Sequence, residues 1–203
     1  LIKNLKVAVI GFGSQGHAHA LNLHESGVNV TVGLREDSSS FERAEEMGLS
    51  VASLENATKD SDVVMLLLPD QVMADVYNSE VAQHMKEGST LLFAHGFNIH
   101  FNEIEPREDL SVAMVAPKGP GHLLRRTYSE GSGMPCLVAV DKDTSGNTQE
   151  IALSYACVSI SWAKLKIVAK NSKLPHFNAN VAIIFGGDAA RVNFLGQHAR
   201  SDD

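Results

Sequence analysis

The feature that most constrains this chain is a glycine pattern lying between a predicted strand and a predicted helix near its start. An apolar run from Val7 to Ile10 leads directly into Gly11-x-Gly13-x-x-Gly16, and a helical pattern follows. The three glycines permit a tight turn, close approach of a pyrophosphate and close packing of helix on strand, in that order. The free N–H groups at the helix start attract phosphate. This context favours a dinucleotide-binding unit over a glycine-rich turn without a ligand.

The rest of the first 140 residues alternates between strand-like and helix-like patterns. Strands are predicted at 6–10, 28–34, 62–68, 90–93, 112–116 and 136–140, and helices at 15–26, 40–47 and 71–86. Beyond residue 140, a further helix is predicted near 148–157. Most strand runs are almost continuously apolar, which is typical of parallel strands covered on both faces. The alternation predicts an α/β fold, a doubly wound (Rossmann) parallel sheet with helices on both faces.

The pattern changes after about residue 156. Residues 1–156 are predicted to form the dinucleotide-binding domain, and 157–203 a divergent tail without clean periodicity. Within that tail we expect a strand or helix at 164–169 and an apolar element at 179–186.

Composition excludes several functional classes. The net charge of -7 and a pI of about 5.7 argue against a nucleic-acid or anionic-membrane binder, which needs a basic face. No apolar run approaches the roughly 18 residues of a membrane span, and no leader is visible. Cys136 and Cys157 have no metal or disulfide spacing, so both are expected to be buried free thiols. We expect a cytoplasmic protein or, if a leader has been processed, one of a plastid or the mitochondrial matrix.

The loop after the second predicted strand carries residues suited to a ribose phosphate. In a Rossmann unit the adenosine ribose lies here, and an arginine accommodates the 2′-phosphate of NADP whereas a carboxylate binds the 2′-hydroxyl of NAD. Arg35, Ser38 and Ser40 favour the phosphate. Glu36 or Asp37 could instead hold a ribose hydroxyl, and a solvated loop with helix-capping serines is the remaining alternative.

Later strand ends add polar groups at the same edge of the sheet, where open α/β sheets bind their ligands. Asp70 follows Pro69, is expected to cap the next helix, and should border the cofactor. His95 follows another strand and suits proton transfer near neutral pH. Lys118 lies in a stiff proline- and glycine-rich loop and could neutralise an anionic substrate, although a structural turn is an equal alternative.

No metal site is predicted. His17, His19 and His24 lie on one helix, but their i, i+2 and i+7 spacing does not give the shared face that i, i+4 would.

Together and in order, several segments resemble ketol-acid reductoisomerase, also called acetohydroxyacid isomeroreductase. The matching segments are 11–20, 33–40, 67–70, 94–99, 115–122 and 128–131, with further matches over 139–156. The resemblance implies Mg²⁺-dependent alkyl migration in an acetohydroxy acid, then reduction by NADPH to a 2,3-dihydroxy acid in valine and isoleucine biosynthesis. It also implies site residues. The cofactor residues would be Gly11, Phe12, Gly13, Ser14, Gln15, Gly16, Arg35, Ser38, Ser40, Asp70, Gln71, Val72, Met73 and Gly121.

By the same resemblance, Phe12 to Gln15 would hold the pyrophosphate, and Gly121 would approach the nicotinamide. His95 would be the active-site histidine, and Lys118 would hold substrate or developing oxyanion charge. The family's Mg²⁺-binding Asp-x-x-x-Glu pair, in an all-helical second domain, falls here on Asn178 and Ala182. We therefore expect that domain to be absent or truncated, with 157–203 a remnant of the connection to it, and this chain to be inactive alone.

The predicted partner is a small acetohydroxy acid, with no nucleic acid or membrane and a possible homo-oligomer. Two alternatives stay open: a stand-alone NADP-binding module, and a metal-independent keto-acid reductase of the same fold.

Overall fold

A computed structural model describes residues 1–160 in full and the backbone of 166–167, 172–174 and 177–185. The described strands form one sheet in the order β3-β2-β1-β4-β5-β6-β7-β10-β8, with β9 paired to β10. Neighbouring strands from β3 through β6 run parallel. This order and direction are those of a dinucleotide-binding Rossmann sheet, which confirms the predicted fold class.

The strands are β1 Lys6–Ile10, β2 Asn29–Gly33, β3 Ser50–Ala52, β4 Val63–Leu66, β5 Thr90–Phe93, β6 Ser111–Pro117, β7 Cys136–Lys142, β8 Lys166–Ile167, β9 Ser172–Leu174 and β10 Phe177–Phe185. The α-helices are α1 Ser14–Glu25, α2 Phe41–Glu46, α3 Leu54–Lys59, α4 Asp70–Val76, α5 Phe97–His100, α6 Gly121–Ser129 and α7 Thr148–Ser159. Among the described residues, no helix combines the length and apolarity needed to cross a membrane.

Helices cover both faces of the sheet, because alternate residues of the central strands point to opposite sides. On β1, Val7 and Val9 pack in one cluster with apolar residues of α1 and α7. Ala8 and Ile10 pack in a second cluster with residues of α3 and α4. The core therefore lies in two layers and leaves the carboxyl edge of the sheet open for ligands.

The last strands depart from the predicted parallel arrangement. β7 runs antiparallel to β6, because the chain leaves β6 at Pro117, forms α6 and returns to the same edge, where Cys136 pairs with Pro117. β10 continues the antiparallel edge, and its residues include Asn178 and Ala182. Of the elements expected in the tail, β8 lies within 164–169 and β10 covers most of 179–186, while the remaining positions lie outside the described residues.

Several helices and two strands differ from the sequence prediction. β3, β9, α3, α5 and α6 were not expected, and the helix predicted at 71–86 is divided. After α4 the chain forms a π-helical turn, Tyr77–Val81, and a 3₁₀ turn, Ala82–His84. Cys136 is buried as expected, and burial raises the pKa of its thiol to about 12. Cys157 is also a free thiol but only half-buried, because it lies on the partly exposed side of α7.

Candidate functional site

The glycine loop connects β1 to α1 beside the end of β4, where the strand order reverses. Gly11 has a φ of +97°, and a Cβ there would lie 2.7 Å from the Leu67 carbonyl oxygen. A Cβ on Gly16 would lie 2.1 Å from the Gly11 carbonyl oxygen. A Cβ on Gly13, by contrast, would meet no atom within 4 Å. Gly11 and Gly16 thus allow close packing of backbone segments around the loop, whereas Gly13 leaves room for a ligand.

The start of α1 faces this open space. Gly13 precedes the helix and has no side chain to cap it, so the N–H groups of the first turn remain available to an anion. Gln15 donates from Nε2 to the Gly119 carbonyl oxygen at 3.0 Å, and its buried Oε1 has no partner among the described residues. Phe12 is buried, with its ring edge-on to His17. Phe12 can therefore offer a ligand only its backbone.

Two clefts meet at the glycine loop. The β2 cleft, about 360 Å³, lies between this loop, the loop after β2 and helix α4. The β4 cleft, about 320 Å³, lies between the start of α1 and the ends of β4 and β5. Predicted residues that line the β2 cleft are Gly11, Phe12, Gly13, Arg35, Ser38, Ser40 and Val72. Those that line the β4 cleft are Gly13, Ser14, Gln15, Asp70, Met73 and His95.

Arg35 is exposed in the β2 cleft and is paired with a residue that the sequence analysis did not consider. Its Nε and Nη2 both donate to Oε1 of Glu80, at 3.1 and 2.5 Å. The hydrogen bond to Glu80 and the charge of that carboxylate raise the pKa of Arg35. Ser38 accepts at Oγ from the backbone N–H of Ser40 at 3.3 Å, so the two serines lie together.

His95 and Asp70 form the polar group of the β4 cleft. The backbone N–H of Phe97 donates to Nδ1 of His95 at 3.2 Å, so Nε2 carries the proton of the neutral ring. Nε2 faces Oδ2 of Asp70 at 3.6 Å. Asp70 does not cap the next helix as expected, because it is itself the first residue of α4. Its carboxylate instead accepts from Nδ2 of Asn98 at 3.3 Å.

Asn98 is a site residue that sequence reasoning missed. Its side chain is buried, and its Oδ1 has no partner among the described residues. Its Nδ2 reaches both Asp70 and, at 3.4 Å, the Met73 sulfur. Asn98 thereby ties the start of α4 to the loop that carries His95. The sequence signals were its position, three residues after His95, and its place in the matching segment 94–99.

Lys118 and His95 line a third cleft of about 490 Å³, the β5 cleft, with otherwise mostly apolar walls. The loop of Lys118 is fixed by a hydrogen bond from its N–H to the Pro135 carbonyl oxygen, at 2.9 Å. This arrangement brings the two predicted catalytic residues to one opening at the carboxyl edge of the sheet. The apolar walls would strengthen any electrostatic contact made inside it.

Three predicted cofactor residues lie outside the walls of these clefts: Gly16, Gln71 and Gly121. Gly16 contacts the glycine loop, and Gln71 is exposed on α4. A Cβ on Gly121 would lie 1.9 Å from the Ser14 carbonyl oxygen. Glycine at 121 is therefore required to pack the start of α6 against the start of α1.

No metal centre is formed within the part of the chain that the structure describes, where no three His, Cys, Asp or Glu residues lie together. Asn178 and Ala182 have only their backbone described, within β10. His19 is fully buried beside Tyr155, whose hydroxyl is 3.0 Å from its Nδ1. Burial lowers the pKa of His19 to about 3.

Comparison with known proteins identifies the same architecture. A family model for the acetohydroxy acid isomeroreductase NADPH-binding domain matches residues 1–162. A solved NADH-preferring ketol-acid reductoisomerase from an uncultured archean is 41% identical, with a TM-score of 0.76. The match covers 78% of this chain and 50% of that one, so the chain spans half the length of this relative.

Two more distant structures share the fold alone. Plasmodium falciparum pyrroline carboxylate reductase with NADP bound is 16% identical, with a TM-score of 0.58, over 76% of this chain and 55% of that one. Mycobacterium tuberculosis 3-hydroxyisobutyrate dehydrogenase with L-serine is 17% identical, with a TM-score of 0.51, over 61% of this chain and 44% of that one.

Proposed function

The chain belongs to the ketol-acid reductoisomerase family, and we propose that it is the cofactor-binding part of an enzyme that converts an acetohydroxy acid into a 2,3-dihydroxy acid with NADPH. The family match over residues 1–162 and the 41% identity to a solved reductoisomerase support this. The proposal includes a role in valine and isoleucine biosynthesis, in the cytoplasm or, after processing, in an organelle. The proposed partners are a small-molecule substrate and, in a possible homo-oligomer, further copies of the chain. Neither a nucleic acid nor a membrane is proposed as a partner.

Gly13 is the observation that carries the binding proposal. Its missing side chain leaves open space at the start of α1, while the glycines on either side contact protein atoms. A pyrophosphate fits that space, because the helix offers unpaired N–H groups and a partial positive charge there. The adenosine half would lie in the β2 cleft and the nicotinamide half in the β4 cleft, since both clefts meet at Gly13.

NADPH is proposed over NADH. Arg35, Ser38 and Ser40 offer a guanidinium and two hydroxyls to the 2′-phosphate. The solved relative that prefers NADH shows that the family accommodates either cofactor. Glu36 and Asp37 are the residues that would bind a ribose hydroxyl if this chain shared that preference.

When bound, the cofactor supplies a hydride to the keto carbonyl of the substrate. Within this chain, Lys118 would pair with the substrate carboxylate or the developing alkoxide, in the mostly apolar β5 cleft. His95 would present the proton on Nε2, because its Nδ1 is held by the Phe97 N–H. Asp70 faces that Nε2 at 3.6 Å, and its negative charge would help to orient the ring in this tautomer.

Magnesium does not fit the described residues. Mg²⁺ requires several fixed oxygen ligands, and those residues bring no suitable group of carboxylates together. No step of the proposed chemistry is therefore assigned to a metal held by the described part of this chain. The alkyl migration of the family would depend on ligands from outside it.

Replacing Gly13 tests the binding proposal. Gly13→Val places a branched side chain where the pyrophosphate would lie, and its Cβ would meet no protein atom within 4 Å. It should reduce NADPH and NADH affinity at least about 100-fold, since it removes the close approach of phosphate to N–H groups. Gly13→Ala, which adds one methyl group, should give an intermediate loss. Calorimetric titration measures both, with circular dichroism as the control for folding. Unchanged affinity in a folded Gly13→Val protein would refute the proposed site.

Turnover separates the proposed function from its alternatives. The 203-residue chain should bind NADPH but should not oxidise it with 2-acetolactate and Mg²⁺. Following NADPH absorbance decides the point, and a chelator shows whether any turnover needs metal. Chelator-sensitive turnover would reveal a metal site outside the described residues. Turnover that survives chelator would favour a metal-independent keto-acid reductase of the same fold.

A further inference from the structure

Arg35, the residue proposed to bind the 2′-phosphate, already has an anionic partner. Oε1 of Glu80 accepts from both Nε and Nη2, an edge of the guanidinium whose two N–H groups could bind a phosphate. The remaining nitrogen, Nη1, has no hydrogen bond to a described residue. A 2′-phosphate must therefore displace Glu80 from the Arg35 fork or bind beside it.

The backbone fixes Glu80 in this position. Glu80 lies in the π-helical turn Tyr77–Val81, in which the extra residue changes the direction of the following side chains. The 3₁₀ turn that follows it, Ala82–His84, is held by Arg107, whose Nη1 donates to the carbonyl oxygens of Ala82 at 2.6 Å and Met85 at 2.9 Å. Glu80 is thus presented to Arg35 by an anchored segment.

The surroundings of the pair are acidic. A cleft of about 710 Å³, the acidic cleft, adjoins the β2 cleft and shares Leu34, Arg35, Asp37 and Leu54 with it. Its charged or titratable residues are Arg35, Glu36, Asp37, Glu55, Glu80 and His84. Four carboxylates therefore face one arginine and one histidine. This balance opposes a doubly charged phosphate more than it opposes a neutral ribose hydroxyl.

We propose that Glu80 is a determinant of cofactor preference that competes with the 2′-phosphate for Arg35 and so limits the preference for NADPH over NADH. The inference rests on the proposed function, because it requires a dinucleotide in the β2 cleft. Glu80 acts by occupying the Arg35 guanidinium, and it lines the acidic cleft rather than the β2 cleft in which the ribose would lie. NADH, which lacks the 2′-phosphate, leaves the Arg35–Glu80 pair in place.

The test compares Glu80→Gln with Glu55→Gln in the full chain. Both substitutions remove one negative charge from the acidic cleft, but Glu55 does not pair with Arg35. Affinities for NADPH and NADH are measured by calorimetry at low ionic strength, where exposed charges are least screened. Glu80→Gln should raise the ratio of NADPH to NADH affinity about 3- to 10-fold, and Glu55→Gln should change it less than about 2-fold. Adenosine 2′,5′-bisphosphate should report the same gain, because it carries the 2′-phosphate without the nicotinamide.

The outcomes distinguish this inference from the proposed function. An unchanged ratio in Glu80→Gln, with both cofactors bound, overturns the role of Glu80 and leaves dinucleotide binding intact. A lower ratio also overturns it, because Glu80 would then orient Arg35 toward the phosphate. Equal gains in Glu80→Gln and Glu55→Gln would reduce the effect to general charge and reject competition for the guanidinium. If the folded wild-type chain binds neither cofactor, the proposed function and this inference both fail.

Discussion

The two ends of the cofactor cleft are built differently. At the pyrophosphate end, Gly11 and Gly16 contact backbone atoms, and α1 is fixed from behind by α7. At the ribose end, the proposed contacts come from the exposed Arg35 and the half-buried Ser38 and Ser40, and Arg35 is paired with Glu80. We propose from this comparison that backbone packing determines whether a dinucleotide binds, whereas the charges at the ribose end determine which one binds. Dinucleotide binding therefore depends on the fold, whereas the cofactor preference can change with a single side chain.

The largest effect should come from breaking the packed end at Gly16. In Gly16→Val the new Cβ would lie 2.1 Å from the Gly11 carbonyl oxygen, so α1 must move away from the loop. The free energy of unfolding should fall by about 3 kcal/mol or more. Gly13→Ala is the matched control and should stay within about 1 kcal/mol of wild type, because its Cβ points into open space. Denaturant titration measures both, and equal losses would contradict the distinction between the two glycines.

Removing the arginine should affect the ribose end alone. Arg35→Ala should weaken NADPH binding about 10- to 150-fold, because charge-assisted hydrogen bonds to the 2′-phosphate are lost. Ser129→Ala is a suitable control, since Ser129 is exposed on α6 and bonds only to the Arg125 carbonyl oxygen. NADPH affinity that does not respond to Arg35→Ala would assign the ribose to Glu36 or Asp37.

Acid should weaken the support behind α1. The pKa of His19 falls from 6.5 to about 3 on burial, so the unfolded chain binds a proton between these values that the folded chain does not. Stability should therefore be lost as pH falls below about 6.5, by about 2 kcal/mol at about pH 5 from this residue. Glutamine does not titrate, so the free energy of unfolding of His19→Gln should fall less than that of wild type between about pH 6.5 and about pH 5. Denaturant titrations at the two pH values measure this. If the free energy of unfolding falls equally in both proteins as the pH is lowered, His19 is not buried as the neutral ring.

Much of the fold was predictable because its main strands are continuously apolar and end in recognisable turns. β1, the glycine loop and α1 could be located from the sequence, and His95 and Lys118 were expected at the edge where they lie. β3 escaped detection because it has only three residues, none of them fully buried. α6 was hidden because its start, Pro120 and Gly121, has the composition of a loop.

The site was less predictable where it depends on contacts between distant residues. Arg35 and Glu80 are 45 positions apart, and neither belongs to a periodic pattern that would indicate their pairing. Asn98 and Asp70 meet only because β4 and β5 are neighbours in the sheet. The π-helical turn that presents Glu80 also has no signature in hydrophobic periodicity, which fitted one longer helix. Motif spacing identified the loops, but the pairing between them required the structure.

The most direct test of the central claim uses NADH alone, with the Gly13→Val and Arg35→Ala variants side by side. NADH has the pyrophosphate but lacks the 2′-phosphate, so it contacts the packed end without needing the arginine. We predict that calorimetric titration finds NADH affinity within about 3-fold of wild type in Arg35→Ala. In a folded Gly13→Val protein the same titration should detect no binding. Retained NADH binding in Gly13→Val, or its loss in Arg35→Ala, would contradict the account. It would show that the pyrophosphate end does not determine binding, or that the ribose end does more than determine cofactor preference.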